Sequence, residues 1–390
     1  MKANRLIIWA ILSHKEAQNA QKFGPSHQLE LLWVELKLNA WRRSPPMKTR
    51  YLTAIICVML LSTVASAQNG AFPKLPHVPG TGKLSDDPKS TQFTFIAAGD
   101  NRPSGNAIKQ PKILSHILKD SKRFKPTFIL WSGDTIAGFR IAGKKMHHKT
   151  LIAQYKEFFR QAAKAGVPMF NSPGNHEMDV VNKSKDETVE TPDEKMVALY
   201  LKEMKYPKDT PPYGAFNYGN SRFIAVDTEE VPPITAVRSE GKTVAKKLKL
   251  DPGFVSMQQM ELLAADLEAN KDKTHIFVFM HHPIKPAKNG SRLNKENADA
   301  LEALFAKHHN VTYVIAAHEH LYFNATGDTI QPHSKKSPSS DGPTYLVSGG
   351  AGAPLDSCPG DAEKNCSSSY HYLVFKVDGD KVDVKVVIVQ

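Results

Sequence analysis

The chain has 390 residues, of which 41% are hydrophobic and 23% charged, with a formal net charge of +12. These are the proportions of a soluble globular protein, long enough for two domains or for one large α/β sandwich. The basic residues form no long run with interleaved aromatics, which excludes a nucleic-acid footprint; the modest positive field fits either an anionic substrate or a generally basic soluble protein.

Residues 1–46 read as an upstream extension that depends on the choice of start codon. At Met47 a targeting signal begins. Lys48 and Arg50 give a positive start, Tyr51 to Leu61 is apolar, and Ala65-Ser66-Ala67 is a small-x-small cleavage pattern with Gln68 as the mature first residue. The apolar run is too short for a stable membrane span. Residues 68–90, rich in Pro, Gly, Lys and Ser, read as a linker or an N-terminal arm, and residues 91–390 form the main domain.

From residue 91, apolar runs suited to buried strands alternate with segments of helical period. Strands are predicted at Thr91–Ala98, Pro126–Ser132, Val167–Asn171, Thr274–Met280, Val311–Ala316 and Thr344–Val347. Helices are predicted at Ala107–Lys119 with Ile108, Ile113, Leu114, Ile117 and Leu118 inward, and at Leu151–Ala165, ended by Gly166. Three more fall at Glu194–Met204, Ser256–Asn270 and Ala298–His309; Ser256 and Gln259 have the spacing of a capping box. Tyr213–Asp227 reads as a hairpin around Gly219-Asn220, and Tyr370–Val389 as one around Asp378-Gly379-Asp380. Long polar stretches at about 178–192, 229–252 and 284–296 are candidates for site-lining loops. Cys358 and Cys366 lie in a Ser/Gly/Pro-rich loop, where an oxidising compartment would join them in a short-loop disulfide.

The chemistry is carried by residues that follow strands. Asp100 follows the first and Asp134 the second; Gly174-Asn175-His176-Glu177 follows the third. His281 follows Thr274–Met280, and His318 and His320 follow Val311–Ala316. In open α/β sheets ligands bind beyond the carboxyl ends of strands, and mixed oxygen and nitrogen donors suit Zn, Mn or Fe. A pair of such ions would clamp a phosphate and activate water for attack on phosphorus.

In order and spacing, this series resembles the calcineurin-like metallophosphoesterase superfamily, whose motifs run D-x-H, G-D, G-N-H-[DE], H and G-H-x-H. The match spans about Phe93 to His320, and Tyr345 to Gly350 resembles the closing strand and glycine turn of that family. The resemblance implies a four-layer α/β/β/α sandwich with a dinuclear metal centre. Asp134 would then bridge two divalent ions, with Asn175, His281 and His318 completing one site and Asp100 and His320 serving the other. His176 would act on the leaving-group oxygen. His281 rather than His282 is expected as the ligand, because it comes immediately off the strand.

Two positions depart from the pattern. Ala317 replaces a glycine in Ala317-His318-Glu319-His320, and Arg102 stands where the family has a metal-ligating His. A guanidinium has no acceptor lone pair and cannot ligate a metal, but it suits bidentate binding of a phosphate. The alternative is an ion pair to Asp100 or Glu177. The expected activity is hydrolysis of a phosphorylated small molecule outside the cytoplasm, with phosphomonoesters favoured. The competing readings are a phosphodiesterase, cyclic nucleotides included, and a non-catalytic binding protein with a degraded metal centre. His147, His148, His275, His308, His309 and His371 are expected outside the site; Asn217, Tyr218 and Asp227 are candidates for its surroundings.

Overall fold

This computed structural model describes residues 72–389, apart from 86, 139, 142–143, 146, 179, 183–189, 193, 231–237, 240–241, 244–252, 289–292 and 361–363. The expected extension and targeting signal lie outside the described residues, as does much of the three long polar stretches.

Strand β1 (Gln92–Ala98) leads through helix α1 (Lys112–Asp120) to β2 (Phe128–Trp131), and helix α2 (His148–Ala162) leads to β3 (Met169–Asn171). A single helical turn, α3 (Asn175–Met178), and helix α4 (Glu194–Glu203) precede the hairpin of β4 (Gly214–Tyr218) and β5 (Ser221–Ala225). Helix α5 (Met257–Ala269), β6 (His275–Phe279), helix α6 (Lys295–Lys307) and β7 (Val311–Ala316) resume the alternation. The chain then forms β8 (Tyr322–Asn324), β9 (Lys335–Lys336), β10 (Thr344–Ser348) and β11 (Cys366–Ser367). It closes with the hairpin of β12 (His371–Asp378) and β13 (Lys381–Ile388).

The larger strands assemble into two sheets, ordered β9-β13-β12-β1-β2-β3 and β11-β8-β10-β7-β6-β5-β4. Strands β1, β2 and β3 are parallel to one another, as are β5, β6, β7 and β10. The period-two alternation of strand side chains builds the layers. Phe95 and Ala97 of β1 enter an aromatic core shared with Phe223, Phe277 and Phe375, whereas Ile96 and Ala98 pack with Leu114, Ile117, Tyr155 and Phe158 of the helices. On the far side, Ile276 and Val278 of β6 meet Leu263, Leu267, Leu301 and Phe305 of α5 and α6. The result is the four-layer α/β/β/α sandwich. Phe95 stacks on Phe375 with centroids 4.6 Å apart and meets Phe223 and Phe277 edge-on, so one ring touches both sheets.

Local signals explain the element boundaries. Gly166 at φ 79° caps the C-terminal end of the α2 region in the left-handed conformation, where glycine carries no Cβ penalty. Ser256 caps α5 by accepting from Gln259 N–H, but only half of the expected box forms: Gln259 turns to Asp227, and the Ser256 N–H donates to Glu230 instead. Helix α1 starts at Lys112, not at Ala107. Pro111 disfavours helical backbone at Gln110, and Ile108, expected inside, is 50% exposed. Helix α6 starts at Lys295, three residues before its expected first residue, because Asn294 supplies an N-cap.

The 68–90 segment acts as an arm where it is described. Phe72, Leu75 and Val78 are buried, and bridges join Lys74 to Ala215 of β4 and His77 to Phe170 of β3. It thereby covers the edge strand of each sheet, where unpaired backbone groups would otherwise face solvent. The Cys358–Cys366 disulfide is present, with Cα atoms 5.9 Å apart. No helix among the described residues is long and apolar enough to cross a membrane.

Two buried histidines are structural. His275 pairs with Thr312 Oγ1 and Gly379 O, and His371 with Ser369 O and Ser348 Oγ. Burial lowers both to about 4. Below its ordinary value of about 6.5 a histidine of the unfolded chain takes a proton that these folded rings refuse. Stability therefore falls as pH drops from about 6.5 towards 4. A His371→Asn variant should show a shallower fall in urea midpoint over that window than the parent chain; equal slopes would remove His371 from the effect.

Candidate metal centre

Five parallel strands deliver their C-terminal ends to one place. Asp100 follows β1, Asp134 follows β2 and Asn175 opens α3 beyond β3, while His281 follows β6 and His318 and His320 follow β7. Asp100, Asp134 and His318 hold φ of 65°, 56° and 69°. Positive φ is uncommon outside glycine and costs on the order of 1–3 kcal/mol per residue, so it persists where surrounding contacts enforce it. Gly174 makes the tight approach possible, since a Cβ there would run into Asp134 Oδ1 and lie 2.9 Å from His281 Cε1.

The donors fall into two groups around Asp134. In the first, Asn175 Oδ1 lies 2.9 Å from His281 Nε2 and 3.2 Å from His318 Nδ1, and the two ring nitrogens are themselves 3.2 Å apart. Asp134 Oδ1 is 3.4 Å from His281 Nε2. His281 Nδ1 must donate to the Ser132 carbonyl at 2.8 Å, which leaves Nε2 as the atom that faces the other donors. In the second, ligand atoms of Asp100, Asp134 and His320 lie within 4.8 Å of one another. His320 Nδ1 donates to Pro354 O at 2.8 Å, so its Nε2 faces Asp100 Oδ1 at 3.4 Å. Asp100 Oδ2 accepts the His318 N–H, but its buried Oδ1 has no hydrogen-bond partner. Convergent acceptors and a buried carboxylate oxygen without a donor fit divalent cations.

The electrostatics agree. Burial pushes Asp134 up, but His176, His281 and Arg102 outweigh it and bring the carboxyl down to about 2. Burial lowers His281, yet Asp134 and Asp100 raise it to about 9. His318, buried among His282, His281 and His320, is held well below the ordinary imidazole value.

On the open side, His176 Nε2 and Arg102 Nε approach the same atom, Asp134 Oδ2, at 3.7 and 3.8 Å. Their side chains are 21% and 23% exposed. His176 Nδ1 donates to Ala137 O at 2.7 Å, leaving Nε2 to the cleft. The alternative partners considered for Arg102 are not used: among the described residues the carboxylate within ion-pair range is Asp134, and Arg102 Nε has no hydrogen-bond partner there.

Sequence reasoning passed over Glu177, which is fully buried. Its Oε2 accepts from Asp134 N–H and Gly174 N–H, both at 2.8 Å, and its Oε1 from Thr135 N–H, Thr135 Oγ1 and Ile136 N–H. The available signal was its place three residues after Gly174. His282 turns away from the donors to Glu229, with Nδ1 2.6 Å from Oε1, and its ring lies against that of His318 at 4.0 Å. Among the other candidates, Asn217 accepts from Arg222 and Tyr218 packs on Phe93 in the inter-sheet core. Asp227 is buried near Glu229 and Glu230. His147 and His148 stand at the start of α2 and His308 caps the end of α6.

A sequence profile of the calcineurin-like phosphoesterases matches residues 93–322. The structure superposes on a purple acid phosphatase from seeds of yellow lupin (Lupinus luteus) with TM-score 0.54, 14% identity, and coverage of 76% of this chain and 52% of that one. It also superposes on a dimetal phosphatase from Danio rerio, with TM-score 0.50, 17% identity, and coverage of 76% and 96%. For PhoD the values are 0.52, 11%, 78% and 67%. This chain thus spans about half the length of the lupin enzyme, and at these identities the likeness is one of fold. The curated proteins contain no match to the sequence.

Glu177→Gln replaces an oxygen that accepts hydrogen bonds by an NH₂ that faces donors. The expected outcome is a lower melting temperature and Mn²⁺ binding weakened by about 10–100-fold, the range for a lost partner behind metal ligands. Unchanged melting and unchanged calorimetric affinity would show that Glu177 does not hold the two loops together.

Proposed function

Because the chain belongs to the calcineurin-like phosphoesterase family, we propose that it hydrolyses phosphomonoesters outside the cytoplasm, using the six strand-end donors as ligands for two divalent cations. The observation that carries the reading is the convergence of those donors beside two cationic or titratable side chains, His176 and Arg102, on the open face of Asp134.

Bound cations would supply Lewis acidity towards the phosphoryl oxygens and an activated water. Asp134 serves both halves of the centre; Asn175, His281 and His318 belong to one half, and Asp100 and His320 to the other. Arg102 offers its guanidinium to the non-bridging oxygens of the phosphate, where charge builds up in the transition state. His176 has Nδ1–H committed to Ala137 O, so Nε2 is the atom that carries a proton to the leaving oxygen.

The test is hydrolysis of an aryl phosphate and an aryl phosphodiester with and without Mn²⁺. Turnover should depend on metal and be faster on the monoester; no metal-dependent turnover on either would overturn the reading, and a faster diester would overturn the substrate preference. In the same assay Arg102→Lys should raise KM for the aryl phosphate about tenfold, the equivalent of one charge-assisted hydrogen bond. Full turnover at unchanged KM would remove Arg102 from phosphate binding.

Export accounts for the Cys358–Cys366 disulfide and for the targeting pattern at residues 47–67. Mass determination of chain recovered from the exported fraction should give Gln68 as first residue. Recovery only of chain retaining residues 47–67 would overturn this cleavage.

A further inference from the structure

The loop that carries the disulfide closes a ring around one end of the centre. His320 is followed by β8, which pairs with β11, where Phe323 faces Cys366. Cys366 is bonded to Cys358, two residues beyond Asp356. Asp356 returns to His320 twice: its Oδ2 accepts the His320 N–H at 2.9 Å, and its own N–H donates to His320 O at 2.9 Å. Pro354 O, in the same segment, accepts from His320 Nδ1. Three hydrogen bonds from one short segment thus fix the backbone and the ring rotation of a single imidazole.

The segment is braced on its other side as well. Lys288 Nζ lies 2.8 Å from Asp356 Oδ1, and the backbone N–H groups of Ala287 and Lys288 donate to Glu319, the residue before His320. Ala353 N–H donates to Asp100 O at 2.8 Å, which joins the same segment to the other protein donor of that half. Cys366, Leu321 and Val347 form a small buried cluster with Cys358 against it, apart from the main cores. The disulfide therefore stands where a larger core would otherwise hold the loop.

We propose that Asp356 is a positioning residue for His320, and that the Cys358–Cys366 disulfide holds Asp356 in place, so that metal affinity of the Asp100/His320 half depends on this loop. The inference rests on the ligand assignment proposed above. The dependence is confined to one half, because His281 and His318 take their orientation from Ser132, Asn175 and His282.

The test is calorimetric titration of the full chain with Mn²⁺, comparing the parent with Asp356→Ala, Asp356→Asn and Cys358→Ser/Cys366→Ser. Asp356→Ala and the double serine variant should weaken one of two sites about 10–100-fold and leave the other unchanged. Asp356→Asn keeps an oxygen for the His320 N–H and should restore most of the affinity. Equal affinities in all four proteins, or equal weakening of both sites in folded Asp356→Ala, would overturn the proposal. If the double serine variant fails to fold, the alanine and asparagine pair decides the matter. A parent chain that takes up no Mn²⁺ would instead overturn the ligand assignment.

Discussion

One buried carboxylate holds the centre's geometry. Glu177 takes four backbone N–H groups and one hydroxyl on its two oxygens, and these donors come from the loop after β2 and the turn after β3. Burial and the neighbouring Asp134 push it above the usual carboxylate range, while the Gly174 and Thr135 donors pull it down. A charge so buried is tolerable only with its lone pairs satisfied, and each orphaned N–H would cost about 1–3 kcal/mol. The two loops consequently cannot separate without exposing several unsatisfied groups at once. Asp134 and Asn175, which lie on those loops, inherit a fixed distance.

The second constraint is the seam between the sheets. Asp100, Asp134 and Asn175 come from one sheet and His281, His318 and His320 from the other. The aromatic layer around Phe95 sets the separation of the sheets, and two hydrogen bonds cross between their strand ends: Ala351 N–H to Gly99 O, and His318 N–H to the Asp100 side chain at Oδ2. The positive φ of Asp100, Asp134 and His318 is maintained by this closure, which is where rigid packing is converted into side-chain orientation.

The strands and the strand-end donors were legible in the sequence because each leaves a local mark: a short apolar run and then a donor, with a small residue between them at Gly99, Gly133, Gly174 and Ala317. The two-sheet arrangement was not written locally; it entered through resemblance to a family. Helix starts were less legible. Pro111 moved the first helix by excluding helical backbone before it, and Asn294 extended another. The side chains behind the donors were invisible for a different reason. Glu177 and Asp356 act on residues 42 and 36 positions away, and no periodicity encodes a contact of that kind. Even the capping box at Ser256 was only half legible, since Glu230 displaced Gln259 from its expected partner.

Arg102 ties these points together. An imidazole at that position would add a lone pair to the Asp100/His320 half; a guanidinium adds a positive charge and no lone pair. On the proposed ligand assignment, the exchange weakens that half as a cation site and strengthens the cleft as an anion site, with Asp134 Oδ2 as the atom between them. A half-centre with fewer protein donors depends more on the accuracy of each one. His320 is held by three hydrogen bonds from a segment that a disulfide closes, whereas His281 is held by groups at the strand ends themselves, Ser132 O at its Nδ1 and the Ala317 N–H at its carbonyl. On that assignment, the half in which Arg102 adds no lone pair is the half whose imidazole is braced from a disulfide-closed loop.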